Sequence, residues 1–321
     1  MSRLGSLRTV LFINTHSRRA RNLADKVVKD FGRERPGFDL VEVIIVKNLK
    51  QLNYHLDILK AVKRLDCVIV GGGDGTIVAV LETLKGRDII YGFLPLGTSN
   101  TFMRSLGLPL TYQLAKRLIL KQQIRPASLG AVNGKIFANI AGIGIPVEVT
   151  ENTTNKIKKV LGPLAYLFNG IKAMVGHQAL YCHVVNDDTD ESFYTHYLIF
   201  ANGKYHGNVS LGKEVSAYND KLVLFAIGVS EYRRHFAVAI IKVLLRRYKK
   251  DRQVKIIPFE RLHVTTQPVR GIEADGEIIS QTPATVEILK DAIQVFAKPI
   301  KPPKARRIRR SPSSKRRKSR S

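Results

Sequence analysis

The chain has 321 residues, 44% hydrophobic and 25% charged, with 53 Lys+Arg against 26 Asp+Glu for a formal net charge of +27. That is ordinary globular composition and chain enough for roughly two domains of ~150 residues, which excludes a wholly disordered protein. Two cysteines, Cys67 and Cys182, exclude a disulfide scaffold and suit a reducing cytosolic setting, and no apolar run approaches the ~18 residues of a membrane span.

The first third alternates short β-branched runs with helical patterns. A strand over 9–14 is followed by a helix over 19–31, marked by Leu23, Val27 and Phe31. A strand over 40–46 precedes a second helix carried by Leu49, Leu52, Leu56 and Leu59. A short buried strand at 67–70, a helix over 76–84 and a strand at 89–94 come next, then helical patterns over 100–106 and 112–121. This alternation with short connections predicts a parallel sheet covered on both faces. Beyond Pro126 the texture turns to β. Strands over 128–132 and 135–140 flank Asn133-Gly134, a strong hairpin signal. Further strands are predicted at 180–185, 194–201, 221–227, 253–257, 261–265 and 284–289, with helices near 166–175 and 231–247. An α/β domain over 1–127 therefore precedes a mostly antiparallel β domain over 128–300.

Residues 301–321 hold eleven Lys/Arg, no acid and only Ala305 and Ile308 as apolar side chains. Such a segment cannot offset its ordering entropy by burial, so a disordered polybasic tail is predicted. Without it the remainder still carries +16. The tail has three open readings: attachment to nucleic acid, attachment to an anionic membrane surface, or a solubilising segment.

The most informative stretch is Val68-Ile69-Val70-Gly71-Gly72-Gly73-Asp74-Gly75-Thr76, a buried strand entering a glycine turn and a helix. Glycines let backbone N–H groups approach an anion, and the helix N-terminus adds positive potential. A carboxylate there repels phosphate unless it orients a hydrated cation or a hydroxyl, which favours a functional loop over a plain βα turn. Gly97-Thr98-Ser99-Asn100 follows the next strand and should emerge beside it at the carboxyl edge of the sheet. Its polar groups suit a nucleotide or, equally, a simple helix cap. Asp275-Gly276, before Glu277, reads by itself as a hairpin turn.

Together these segments resemble the diacylglycerol kinase catalytic-domain family, which includes YegS-like lipid kinases and sphingosine kinases, with NAD kinases as distant relatives. Gly72-Gly73-Asp74-Gly75-Thr76 is similar to that family's GGDGT loop, Leu96-Gly97-Thr98-Ser99-Asn100-Thr101-Phe102 to its LGTxNDF loop, and Asp275-Gly276-Glu277 to its DGE motif. Phe137-Ala138-Asn139 with Gly142 and Gly144 resembles the hairpin that opens its second domain, and Asp220-Lys221-Leu222 the segment near a second cation site. Three departures stand out. The first-strand loop keeps Asn14 and Ser17 but lacks the family's proline and glycine, Thr101 replaces an acidic residue, and no glycine follows Asp220.

The resemblance implies an N-terminal doubly wound parallel-sheet nucleotide domain with a C-terminal antiparallel β-sandwich whose end returns toward the first domain. It implies ATP as co-substrate, held by Asn14, Ser17, Gly72, Gly73, Asp74, Gly75, Thr76, Gly97, Thr98, Ser99 and Asn100. Mg2+ would be held by Asp74, Asp220 and Glu277. Asp275 is the implied base for a lipid hydroxyl, Asp74 is the alternative, and Glu277 is a cation partner or orienting group. Diacylglycerol is the family's default substrate; sphingoid bases and other lipid alcohols stay open, and an NAD-kinase-like enzyme or a polyanion-binding protein are the rivals. The implied setting is cytoplasmic and peripheral to an anionic membrane, reached through the basic body and tail, with a second copy of the chain as a candidate partner. No aromatic-interleaved basic patch supports sequence-specific nucleic-acid reading. The helix near 231–247, apolar between cationic ends, suits either an interfacial element or a helix packed on the β domain.

Overall fold

The computed structural model describes residues 5–32, 37–144, 178–206, 209–212, 214–245, 247–248 and 251–299. The helix predicted near 166–175 and the tail at 301–321 lie outside them. The N-terminal part runs β1 (Leu7–Asn14), α1 (Arg18–Asp30), β2 (Phe38–Val46), α2 (Leu52–Ala61), β3 (Cys67–Gly72), α3 (Asp74–Thr83), β4 (Ile90–Pro95), α4 (Thr101–Ser105) and α5 (Tyr112–Ile119). Its strands are parallel in the order β2-β1-β3-β4. Alternate side chains of β1 part to the two faces, as a period of two demands. Leu11 and Ile13 pack under α1 and α5, while Val10 and Phe12 pack under α2, α3 and α4. The doubly wound sheet is therefore as predicted. Cys67 opens β3 as a small buried packing group, and burial pushes its thiol up to about 12, which leaves it inert.

The remainder comprises β5 (Ile124–Val132), β6 (Lys135–Phe137), β7 (Ile140–Ile143), β8 (Leu180–Asn186), β9 (Thr189–Thr195), β10 (Tyr197–Ala201), a small β11 (Tyr205–His206) and β12 (Val209–Ser210) pair, and β13 (Leu222–Ile227). Then follow α6 (Arg233–Leu244), β14 (Val254–Phe259), β15 (Arg261–Gln267), β16 (Gly271–Ala274), β17 (Glu277–Gln281) and β18 (Ala284–Phe296). One antiparallel sheet, β14-β13-β10-β7-β16-β17, faces β5, β8, β15 and the first half of β18. Val184, Val264 and Val286 meet Ile143, Phe200 and Leu224 in the layer between them, which makes the second half a β-sandwich. The outer face of that antiparallel sheet, with Ile199, Phe225 and Ile227, lies under Phe236 and Ala239 of α6.

Three strands differ from the sequence reading for local reasons. The single strand expected over 284–289 runs on to Phe296, because Asp291 takes a left-handed φ of 49° and absorbs the interruption at Lys290-Asp291. Beyond that bulge Ile293, Val295 and Phe296 enter the N-terminal cores, and Gln294 and Val295 pair in parallel with Ile90 and Tyr91 of β4. The run 194–201 is two strands, and the missed half, β9, is a mostly exposed edge strand whose polar sequence carries little β signal. The run 135–140 breaks at Ala138-Asn139. The sheet is also continuous across the boundary expected near 125–128, since β5 pairs with β18 from Ile124 to Val132.

Phe296 is buried against Phe38, with ring centroids 6.0 Å apart, at the point where the chain closes on its own beginning. Phe296→Ala should cost about 3–5 kcal/mol. Urea unfolding followed by circular dichroism checks it, and a loss under ~1 kcal/mol would contradict a structural role for the returning strand.

Candidate active site

In a parallel sheet of order β2-β1-β3-β4, the crevice beyond the carboxyl ends of β1 and β3 is where the connections diverge to opposite faces, and ligands bind there. The loop after β1 is tied to both glycine loops. Asn14 Nδ2 donates to Thr76 Oγ1 at 2.9 Å, while Ser17 Oγ caps α1 by accepting from the Ala20 N–H at 3.0 Å and donates to the Leu96 carbonyl. The two glycine loops touch backbone to backbone: a Cβ on Gly97 would lie 2.2 Å from Gly73 Cα. Asn100 is buried, holds a left-handed φ of 48°, and closes its turn by donating Nδ2 to the Gly97 carbonyl at 2.9 Å.

Asp74 does not point freely into the crevice. Its two carboxylate oxygens accept the N–H groups of Thr101 and Phe102, each at 2.9 Å, so the glycine loop is fastened to the start of α4. Across the crevice stands the hairpin turn Asp275-Gly276, both residues at positive φ (47° and 104°) as a two-residue turn requires. That turn aims the Asp275 carboxylate at the β6–β7 connection. Oδ2 accepts from Ala138 N at 2.6 Å and Oδ1 from Asn139 N at 3.1 Å, with Ile140 N at 3.4 Å. These bonds are why the predicted strand breaks at 138–139. Enclosure by protein pushes the Asp275 carboxyl up; the N–H groups of Ala138, Asn139 and Ile140 pull it back, the charge of Asp74 adds to the rise, and the net value is about 6.

Between the two walls lies a cleft of about 650 Å3. Asn14, Ser17, Gly73, Gly75, Thr76, Gly97 and Thr98 line one side, and Asp275 and Glu277 the other. Glu277 is exposed at the start of β17. Of the other predicted residues, Gly72 and Asn100 shape the loops from behind, and Ser99 is exposed outside the lining. Asp220, expected near a second cation site, stands apart from Asp74 and Glu277. Asp220 precedes β13 and lines a separate cavity with Glu214, Asn219 and Lys221, because its turn is committed to the β13–β14 side of the sandwich. Among the described residues no three His, Cys, Asp or Glu side chains are arranged to hold a metal. Mg2+ nevertheless fits at Asp74: each carboxylate oxygen accepts one N–H and keeps lone-pair capacity, and this ion is usually held by one or two carboxylates plus substrate phosphates.

Three polar lining residues were not among the expected site residues: His16, Glu82 and Lys135. Glu82 accepts the Ile136 N–H at 2.9 Å and so pins β6 to α3. Lys135 brings the cleft its one Lys or Arg side chain among the described lining, and the position after the Asn133-Gly134 turn was the signal available for it.

Glycine loops at a switch point opposite an enclosed carboxylate make the cleft of a phosphate-handling enzyme. Residues 8–132 match the family described as the diacylglycerol kinase catalytic domain, and residues 140–297 the YegS C-terminal NAD kinase beta sandwich-like domain. A Staphylococcus carnosus protein named "Putative lipid kinase" is 28% identical over 72% of this chain and 76% of its own. A Pseudomonas aeruginosa protein named "Probable lipid kinase YegS-like" is 49% identical over 32% of this chain and 35% of its own. A solved diacylglycerol kinase structure from Bacillus anthracis shares the fold, with a TM-score of 0.71, 21% identity and coverage of 91% of this chain and 97% of that one. The chain belongs to the diacylglycerol kinase catalytic-domain family of lipid kinases.

The glycines of the two loops should respond in opposite ways. Gly97→Ala forces the loops apart and should destabilise by about 1–3 kcal/mol, whereas Gly75, with open space where its Cβ would stand, should accept Ala in α3 with stability unchanged or higher. Thermal unfolding of both variants checks the contrast, which equal melting temperatures would erase.

Proposed function

We propose that the protein transfers the γ-phosphate of ATP to the hydroxyl of a membrane lipid, with diacylglycerol as the first candidate acceptor. The observation that carries this reading is the Asp275 carboxylate, fixed by backbone N–H groups on one wall of the cleft and raised to about 6, opposite glycine loops built for phosphate. On this reading residues 1–127 hold the nucleotide and 128–300 the lipid. Gly73, Gly75 and the N-terminus of α3 receive phosphate oxygens, and Lys135 offers charge from the facing hairpin. A Mg2+ ion at Asp74 would neutralise phosphate charge. Transfer through a loose transition state depends mainly on positioning and charge, so a modest base suffices if it is correctly placed. At neutral pH, Asp275 is ionised and still more basic than an ordinary carboxylate, and it takes the proton of the lipid hydroxyl. Glu277 orients the hydroxyl or partners the cation.

The same reading requires a membrane, and α6 supplies a surface for it. Its inner face packs through Phe236 and Ala239, while Val238, Ile241 and Leu245 stand exposed at helical spacing, with Tyr232 exposed just before. Arg234 and Arg247 flank that stripe, so an apolar face with cationic ends meets anionic lipid. The inner face is that of a helix packed on the β domain, and the outer face is the one that would meet lipid. The protein would act as a cytoplasmic, peripherally bound enzyme.

Phosphorylation of diacylglycerol, sphingoid base and NAD by the purified protein, compared with radiolabelled ATP, tests the acceptor class; transfer to NAD alone would overturn the lipid reading. Asp275→Asn keeps an acceptor for the hairpin N–H groups but cannot take a proton. It should lose turnover by about a hundredfold or more while ATP binding persists. Because burial and Asp74 raise the Asp275 pKa, the acid limb of kcat/KM should bend near pH 6, with activity falling as pH drops below it. A bend near the ordinary carboxylate value would remove Asp275 from the role. Ile241→Asp with Leu245→Asp, both on the exposed stripe, should weaken sedimentation with anionic vesicles and leave turnover of a soluble short-chain substrate intact. Unchanged sedimentation would remove α6 from the membrane contact.

A further inference from the structure

A second cavity, of about 520 Å3, lies away from the catalytic cleft, where the end of α4, the start of β5, the segment before β13 and the residues after β18 converge. Its charged lining is of one sign. Arg125, Lys204 and Lys298 all contribute, the remaining polar groups are Ser105, Ser216 and Tyr218, and no acidic side chain lines it among the described residues. The Arg125 guanidinium lies 3.2 Å from the centroid of the Tyr218 ring, and Tyr218 is itself fixed by donating its hydroxyl to the Leu106 carbonyl at 3.0 Å. Stacking uses the flat face of a guanidinium and leaves edge N–H donors, the geometry with which arginine grips phosphate oxygens. Lys204 sits beside the Tyr205 ring, 5.9 Å from its centroid, and Lys298 is exposed. None of the three cations is paired with a carboxylate among the described residues. In the sequence, the polybasic run at 301–321 begins three residues after Lys298.

Three cations facing one concavity repel each other, and an anion seated among them relieves that repulsion. The volume matches a small ligand or headgroup rather than a single ion. We propose that this pocket is a phosphomonoester-binding site, with Arg125, Lys204 and Lys298 as its cationic contacts and the hydroxyl of Ser216 beside them. The site is separate from the cleft and stands whether or not the cleft works as a kinase.

The test is calorimetric titration of inorganic phosphate into the full chain, compared across wild type, Lys204→Gln with Lys298→Gln, and Lys135→Gln. Binding that survives Lys135→Gln and weakens about tenfold or more in the double variant, or about 1.4 kcal/mol, assigns it to the second pocket. Equal binding by wild type and double variant, or loss of all binding in Lys135→Gln, overturns the proposal. Melting temperatures check folding. Should the double variant melt lower, Lys298→Gln alone is read instead, with a severalfold loss expected and no loss counting against the site. Glycerol 3-phosphate and flotation with phosphatidylcholine vesicles, with and without phosphatidate, then separate a free ester from a lipid headgroup. Saturation by the soluble ester identifies the former, and variant-sensitive flotation only with phosphatidate identifies the latter.

Discussion

The pairing of β5 with β18 is the constraint on which the rest depends. These two antiparallel strands run from the sandwich into the parallel sheet without a break, with Val286 opposite Val132 at one end and Phe296 opposite Ile124 at the other. Val286 belongs to the sandwich core, Val295 and Phe296 to the two N-terminal cores. A flexible linker would let the halves swing, but a shared hydrogen-bonded ribbon with apolar residues sunk in three cores holds the cleft walls at a fixed separation. The bulge at Asp291 is what allows one strand to serve both sheets, since an extra residue bends and retwists the strand without ending it.

Within that frame the two central carboxylates are anchored in the same way. Each sits at a turn and accepts backbone N–H groups from a different element: Asp74 two from the start of α4, Asp275 three from the β6–β7 connection. Such bonds to a charged acceptor are stronger than neutral ones and fix direction as well as distance. A carboxylate so held cannot rotate freely, and each one fastens its turn to the neighbouring element. The β6–β7 connection is steadied from behind in its turn. Asn202 Nδ2 donates to the carbonyls of Ala138 and Ser128 at 2.7 and 2.9 Å, and Ser105 Oγ donates to Asn139 Oδ1 at 2.9 Å.

How much of this was legible in the sequence depended on whether the signal was local. The parallel sheet was, because β1 and β3 are continuous apolar runs and α1 and α5 carry one-sided patterns. The hairpin at Asn133-Gly134 was, because only residues tolerant of positive φ make that turn. The glycine loops announced a site for the same reason. What could not be read was whatever depends on residues far apart in the chain. Nothing near Asp275 says that its partners are the N–H groups of 138–140, and nothing near Asp74 says that it caps α4. Nothing near Lys135 says that α3 and β17 come beside it. Which cavity Asp220 lines could not be read either, because similarity of a short segment does not fix which way its turn faces.

The charge distribution gives the basic body its meaning. Among the described Asp, Glu, Lys and Arg side chains lining the cleft, Glu82, Asp275 and Glu277 stand against Lys135, so the cleft is not where the +16 resides. Exposed charges more than ~10 Å away are largely screened at ordinary ionic strength, so the distant lysines and arginines cannot neutralise a nucleotide in the cleft. The excess stands elsewhere in the chain: at the ends of α6, in the pocket around Arg125, whose described lining holds no acid, and in the sequence beyond residue 300. A polyanion attracted to the whole protein would meet those surfaces first. On the proposed reading, the cleft would favour ligands that bring their own counter-charge, or that bury a neutral hydroxyl against Asp275.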